Sequence, residues 1–190
     1  MTKKKILICG ASGFIGHNLF EHYASLNIYE TFGTYFKNRP RVYNSRIFKV
    51  DLRDRNMALL ATRDIDIVVN AAALTDGIGV FSEEGKAKSF AEANTLINKN
   101  LIETAHINRI GHFIFLSCTI MYPSSETPLE ENEFDLAKVH PKYYIPAKMK
   151  VEGEDFCKSF ADQGRTKYTV VRHTNIYGPH DKFDLVKGHA

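Results

Sequence analysis

Apolar residues along this chain follow two rhythms. Some form short unbroken runs. Others recur every three or four positions over longer stretches. "KILICG" near the start is an unbroken run, too short for a helix, and reads as a strand buried on both faces. Residues 14–26 then show helical spacing. "YETFGTYF" and "SRIFKV" read as two more strands, "NMALLAT" as a short helix and "IDIVVNAAA" as an Ile- and Val-rich strand. Residues 86–109 predict a long helix, with Phe90, Ala93, Ile97, Leu101 and Ala105 roughly on one face. "HFIFLSC" is a strand, 118–141 a loop, 143–162 a helix and "KYTVVRH" a last strand. Pro146 is expected in the first turn of the helix it belongs to.

Buried strands alternating with helices imply an α/β fold, a doubly wound parallel sheet with helices on both faces. The size, 190 residues, suits one domain with a substantial core. Composition changes little: 44% hydrophobic and 25% charged is ordinary for a globular chain. No apolar run reaches the roughly 18 residues of a membrane helix. "MTKKKILICGASG" reads as a first strand rather than a signal peptide. Cys9, Cys118 and Cys157 lack paired or metal-ligand spacing, so no metal site and a reduced, cytoplasmic setting are expected. The net charge of +3 is spread along the chain without a basic stripe, which argues against nucleic acid.

The first candidate chemistry sits where the first strand meets the first helix. "GASGFIG" places Gly10, Gly13 and Gly16 there with G-x-x-G-x-x-G spacing. Glycines permit a tight turn and close backbone approach, so the helix N-terminus can face a pyrophosphate. This marks a Rossmann-type dinucleotide site. "VDLRD" puts Asp51 after the third strand, where a carboxylate can accept from an adenine amino group. Asn70 to Ala73 end the fourth strand in small residues, against which a cofactor can lie. No acidic residue ends the second strand to hold a ribose 2′-hydroxyl. Lys37 and Arg39 stand there instead and suit a 2′-phosphate, so NADP(H) is favoured over NAD(H).

A second cluster follows the fifth strand. Ser117, Cys118 and Thr119 leave its C-terminal end, where ligands bind in open α/β sheets. Tyr144 and Lys148 are four apart, on one face of the next helix. A nearby ammonium favours a phenolate, the arrangement acid–base work needs.

Together, "GASGFIG", "VDLRD", "NAAA", "SCTIMYP", "YIPAK" and "RHTNIYGPHDKF" resemble the extended short-chain dehydrogenase/reductase family of nucleotide-sugar enzymes, in order and spacing over nearly the whole chain. "NIYGPHDKFD" with His189 is most similar to its NADPH-dependent epimerase/reductases acting on GDP-4-keto-6-deoxy sugars. The resemblance implies that Tyr144 is the catalytic acid and that Lys148 holds the nicotinamide ribose. It implies that His189 is the proton donor in epimerisation. It makes Ser12, Phe14, Ile15, Leu52, Ala71, Ala72 and Ala73 cofactor contacts beside the glycines. His173 to Ile176, Asn175 included, would flank the nicotinamide. Ser117, Asn175 and His180 would meet the nucleotide-sugar.

Two departures stand out. Cys118 replaces the Ser or Thr that bonds the substrate oxygen, with Thr119 beside it, and Ile120 replaces the cysteine of epimerising members. If the strand continues, residues 118 and 120 point the same way, and Cys118 could take over part of that proton transfer. Other readings within the family are a 4-epimerase, a 4,6-dehydratase or a keto-sugar reductase. A third is a chain that binds dinucleotide without turnover. The expected organisation is a dinucleotide-binding domain over 1–173, with 174–190 opening a substrate-binding domain. The family resemblance also implies a homodimer through the long helices.

Overall fold

A computed structural model describes residues 2–41, 44–74 and 84–181. Among the described residues, six strands and four helices follow one another as β1 (Lys4–Cys9), α1 (Phe14–Ser25), β2 (Tyr29–Tyr35), β3 (Ile47–Lys49), α2 (Arg55–Ala61), β4 (Ile67–Asn70), α3 (Glu84–Ile107), β5 (His112–Cys118), α4 (Pro141–Ala161) and β6 (Lys167–His173). The strands form one sheet in the order β3-β2-β1-β4-β5-β6. Every pairing is parallel. The order reverses between β1 and β4, which opens a crevice at their C-terminal ends. This is the expected doubly wound Rossmann-type architecture.

Alternation along the strands builds two cores. Leu7, Cys9, Val68, Phe113 and Phe115 face α2, α3 and α4, packing with Ala58, Ile97, Leu101 and Cys157. Ile6, Ile8 and Val69 point the other way and pack on α1 through Phe20. The side carrying α2, α3 and α4 is the more deeply filled, since Phe113 and Phe115 are essentially inaccessible.

The helix ends have local causes. Asp54 caps α2 by accepting from the amides of Asn56 and Met57. For α4, Pro141 occupies the first turn and His140 caps it, Nδ1 accepting from the Lys142 amide. That cap starts the helix two residues earlier than 143. It also moves Pro146 out of the first turn, where it was expected, to a buried position inside the helix. The loop expected over 118–141 contains two short 3-10 turns, Thr119–Met121 and Leu136–Lys138. The first of these ends β5 at Cys118, so residues 118 and 120 do not alternate along a continuing strand.

Candidate functional site

The glycine turn is built from backbone contact. Gly13 N donates to Gly10 O at 2.9 Å, closing the turn, and Gly10 N donates to Thr34 Oγ1 at 3.2 Å. Gly10 has φ +79°, and a Cβ there would stand 2.7 Å from Ala72 Cα. A Cβ on Gly16 would stand 2.2 Å from Gly10 O. The turn therefore rests directly on Ala71 and Ala72, and α1 rests on the turn. Gly13 caps α1 without a side-chain bond, and the first turn has no acidic residue. Its leading amides are free to face an anion. Ser12, Phe14 and Ile15 are half-buried beside them. A spine of asparagines on α3 fixes the opposite wall. Asn98 Oδ1 accepts from Asn70 Nδ2 at 2.9 Å, and Asn94 bonds both the amide and the carbonyl of Leu74. Ala71, Ala72 and Ala73 lie between these clamps.

Lys37 and Arg39 are exposed just beyond β2. Past β3, Leu52 is buried, and Asn100 Nδ2 donates to its carbonyl at 3.1 Å. Asp51 is more committed than its sequence position suggests. Its carboxylate accepts from Arg53 Nε at 2.8 Å and Nη2 at 2.6 Å. These bonds hold its pKa below the ordinary carboxylate value. The Arg53 guanidinium also lies 4.9 Å from the Phe36 ring centre.

At the end of β5 the expected residues separate. Tyr144 is 44% exposed, and its hydroxyl has no partner among the described residues. Lys148, one turn on, is exposed and lies 4.0 Å from Glu152. The start of α4 is seated by Ala147, which packs with Met121, Val139, Ile120 and Tyr143. Ile120 is thus part of an apolar contact. Cys118 caps the 3-10 turn, and burial raises its thiol pKa, keeping it protonated. Thr119 borders an open groove of about 740 Å³ between α4, β6 and the loop after Met121.

Ser117 does not join this group. It is fully buried and donates to Glu154 Oε1 at 2.5 Å. Alternation explains this: Ser117 follows Phe113 and Phe115 onto the inner face of β5. Glu154 also receives Arg172, with Nη2 2.5 Å from Oε2. Arg172 Nη1 donates in turn to Tyr122 Oη at 2.6 Å and to the carbonyl of Glu131. Glu154 holds the Arg172 pKa above its ordinary value. Lys150 Nζ donates to Leu116 O at 2.6 Å, and burial lowers its pKa. No motif announces this polar network. Its one sequence signal is a Glu on the same helix face as Gly153, Ala147 and Cys157, the face that turns to the sheet.

At the end of β6, His173 Nδ1 lies 2.7 Å from Thr174 O; past the strand, Asn175 is exposed and Ile176 half-buried. His180 does not stand open to a substrate. It lies against α1, with Nε2 3.2 Å from Glu21 Oε2. His189 falls outside the described residues.

Comparisons agree with the geometry. The profile of the NAD dependent epimerase/dehydratase family matches residues 6–189. GDP-mannose 3,5-epimerase 1 of Oryza sativa subsp. indica is 30% identical over 183 residues, covering 93% of this chain and 48% of that protein. GDP-L-fucose synthase of Escherichia coli K12 is 32% identical over 131 residues, covering 68% of this chain and 40% of that enzyme. A GDP-6-OMe-4-keto-L-xylo-heptose reductase from C. jejuni superposes with a TM-score of 0.81 at 22% identity, over 99% of this chain and 51% of that one. The chain spans about half the length of the curated relatives it matches. No helix among the described residues is long and apolar enough to cross a membrane. The glycine turn at the sheet's switch point, the strand order and the profile match together place the chain in the NAD-dependent epimerase/dehydratase family of nucleotide-sugar enzymes.

Proposed function

We propose that this chain is the dinucleotide-binding part of an NADP(H)-dependent nucleotide-sugar epimerase/reductase, of the GDP-L-fucose synthase kind, acting on a GDP-4-keto-6-deoxy sugar. The observation that carries the reading is the pairing of two features at one sheet edge. An α1 N-terminus without a side-chain cap rests on a glycine turn that a single Cβ would fill. An exposed Tyr144 stands one turn from Lys148 at the start of α4. The residues present fit a dinucleotide. Gly10, Ser12, Gly13 and Gly16 would hold the pyrophosphate against the α1 amides, Ala71 to Ala73 would border the bound cofactor, and Lys37 and Arg39 would take a 2′-phosphate. When bound, the cofactor supplies hydride to the keto carbon. Tyr144 gives the oxygen its proton, and Lys148 positions the nicotinamide ribose. Thr119 is the hydroxyl left at the end of β5 to bond the keto oxygen, while the Cys118 thiol is a weaker donor. GDP is favoured as the nucleotide because both curated relatives named above carry GDP sugars in their names. Residues 174–190 would open the substrate-binding part, and pairing through α3 and α4 would make a homodimer.

A keto-sugar reductase without epimerisation is the second reading, and Ile120 favours it. That side chain has no proton to transfer and is packed among Met121, Val139 and Ala147.

Two measurements test the proposal. Fluorescence titration of this chain is expected to show tighter binding of NADPH than of NADH. Equal affinity, or a preference for NADH, would remove the 2′-phosphate reading. In a protein carrying this chain with its substrate-binding part, Tyr144→Phe is expected to abolish NADPH oxidation by a GDP-4-keto-6-deoxy sugar. Near-normal turnover would remove Tyr144 from the chemistry.

A further inference from the structure

Where the loop after β6 meets α1, three metal-ligating side chains converge. His17 and Glu21 are one turn apart on α1, and His180 arrives from the loop after β6. Their donor atoms lie within 4.8 Å of one another. Glu21 Oε1 is 3.2 Å from His17 Nε2, and Glu21 Oε2 is 3.2 Å from His180 Nε2. The two imidazole rings meet edge to face with centroids 4.4 Å apart.

His17 is the informative member. It is 6% exposed, and its Nε2 is buried without a hydrogen-bond partner among the described residues. The Glu21 carboxylate is near enough but lies off the direction in which the ring nitrogen would donate. A buried polar atom left unpaired costs about 1–3 kcal/mol, so this arrangement needs a cause. Two donors of one ion explain both facts. Ligands about 2.0–2.2 Å from a tetrahedral zinc stand about 3.3 Å from each other and aim at the ion, not at one another.

We propose that His17, Glu21 and His180 form a binding site for a divalent transition-metal ion of the zinc class, which clamps the 174–181 loop onto α1. Two imidazole nitrogens and one carboxylate suit Zn²⁺ and leave a fourth position for water. Magnesium and calcium prefer all-oxygen sets. The loop is delivered by bonds independent of the ion. Asn18 Nδ2 donates to Pro179 O at 2.8 Å, and Arg41 Nη2 donates to His180 O at 3.0 Å. Arg41 Nη1 also lies 3.5 Å from His180 Nδ1. Coordination through Nε2 puts the proton on Nδ1, so Arg41 then holds the loop through the carbonyl bond alone. His17 directly follows Gly16 of the phosphate turn. The ion would therefore tie the helix that faces the dinucleotide to the loop carrying Asn175 and Ile176.

The test uses the 190-residue chain, stripped with a chelator and titrated with Zn²⁺ against a chromophoric chelator. One equivalent is expected at a roughly micromolar Kd or tighter. Co²⁺ should give the visible bands of a four- or five-coordinate ion. Glu21→Gln and His180→Asn lie on the accessible side of the cluster. Each should weaken Zn²⁺ binding by at least about tenfold, the loss that even supporting residues of metal sites produce, with unchanged far-UV circular dichroism. His17→Gln should do the same, and if it unfolds, the other two variants decide. The proposal is overturned if the stripped chain takes up no zinc at about 100 μM, some hundredfold above that Kd. It is equally overturned if Glu21→Gln or His180→Asn binds zinc as the unaltered chain does.

Discussion

The glycine turn at β1 and the corner where β5 meets α4 lie at the same edge of the sheet but are built from different material. The turn is backbone against backbone: Gly10 on Ala71 and Ala72, and Gly16 on Gly10. The corner is held by side chains, with Ser117, Glu154 and Arg172 joining β5, α4 and β6. The difference predicts separable failures. Damage to the turn should act on dinucleotide affinity, because the absence of a Cβ is what lets α1 present its amides. Damage to the corner should act on stability, because its polar groups are buried and mutually satisfied.

The largest effect is expected at Glu154. Its side chain is 11% exposed and accepts from both Ser117 and Arg172. Glu154→Ala leaves a buried hydroxyl and a guanidinium without their acceptor, at a cost of about 3 kcal/mol. Urea unfolding should show the midpoint fall, while NADPH affinity of the folded fraction stays within about threefold, since no cradle residue moves. A matching loss of NADPH affinity would show that the two regions are one unit.

Gly16→Ala should give the reverse pattern. The new Cβ meets a backbone oxygen at 2.2 Å, which no rotamer change relieves. About 2 kcal/mol of stability is lost through overpacking. The more telling outcome is NADPH affinity reduced far below that of Glu154→Ala, as α1 is pushed away from the turn. If affinity survives, the amides of α1 are not the phosphate site.

The same contrast explains what the sequence reveals. Backbone sites need particular residues at fixed spacing, so Gly10, Gly13 and Gly16 are visible at a glance. The strands and helices were legible as well, because each depends on its own apolar rhythm. Misplaced boundaries trace to local bonds, such as the His140 cap that starts α4 at Pro141. The corner was only half legible. Tyr144 and Lys148 share a helix face and can be paired by counting. Glu154, Arg172 and Tyr122 come from three separate segments, and only the fold brings them together. The place of Ser117 at the end of β5 suggests a substrate contact, but strand alternation sends it inward with Phe113 and Phe115. The asparagines of α3 were hidden by chemistry: a buried Asn is stable only when it is hydrogen-bonded, and the partners here, the Asn70 side chain and backbone atoms of Leu52, Arg53 and Leu74, are distant in sequence.

Asp51 gives the smallest effect and lies on the cradle side of the comparison. Its carboxylate is bonded by Arg53, which lowers its pKa from the ordinary 3.8. The folded state therefore releases this proton more readily than the unfolded state. The resulting stability is present above the unfolded value near 3.8 and is lost as pH falls through the lower folded value. Both side chains are about a third exposed, at 36% and 32%, so solvent screening keeps the contribution under about 1 kcal/mol. Asp51→Asn should lower the urea midpoint slightly at pH 7, and the difference should shrink as pH falls from 7 to below 3.8. A constant difference across that range would mean the Arg53 pair is not its source. NADPH affinity of the same variant then asks a separate question of the cradle. If Asp51 also accepts from the adenine amino group, affinity falls at pH 7 by more than the stability change accounts for. If affinity is unchanged, the carboxylate serves Arg53 alone, and the phosphate turn carries recognition on this side of the sheet.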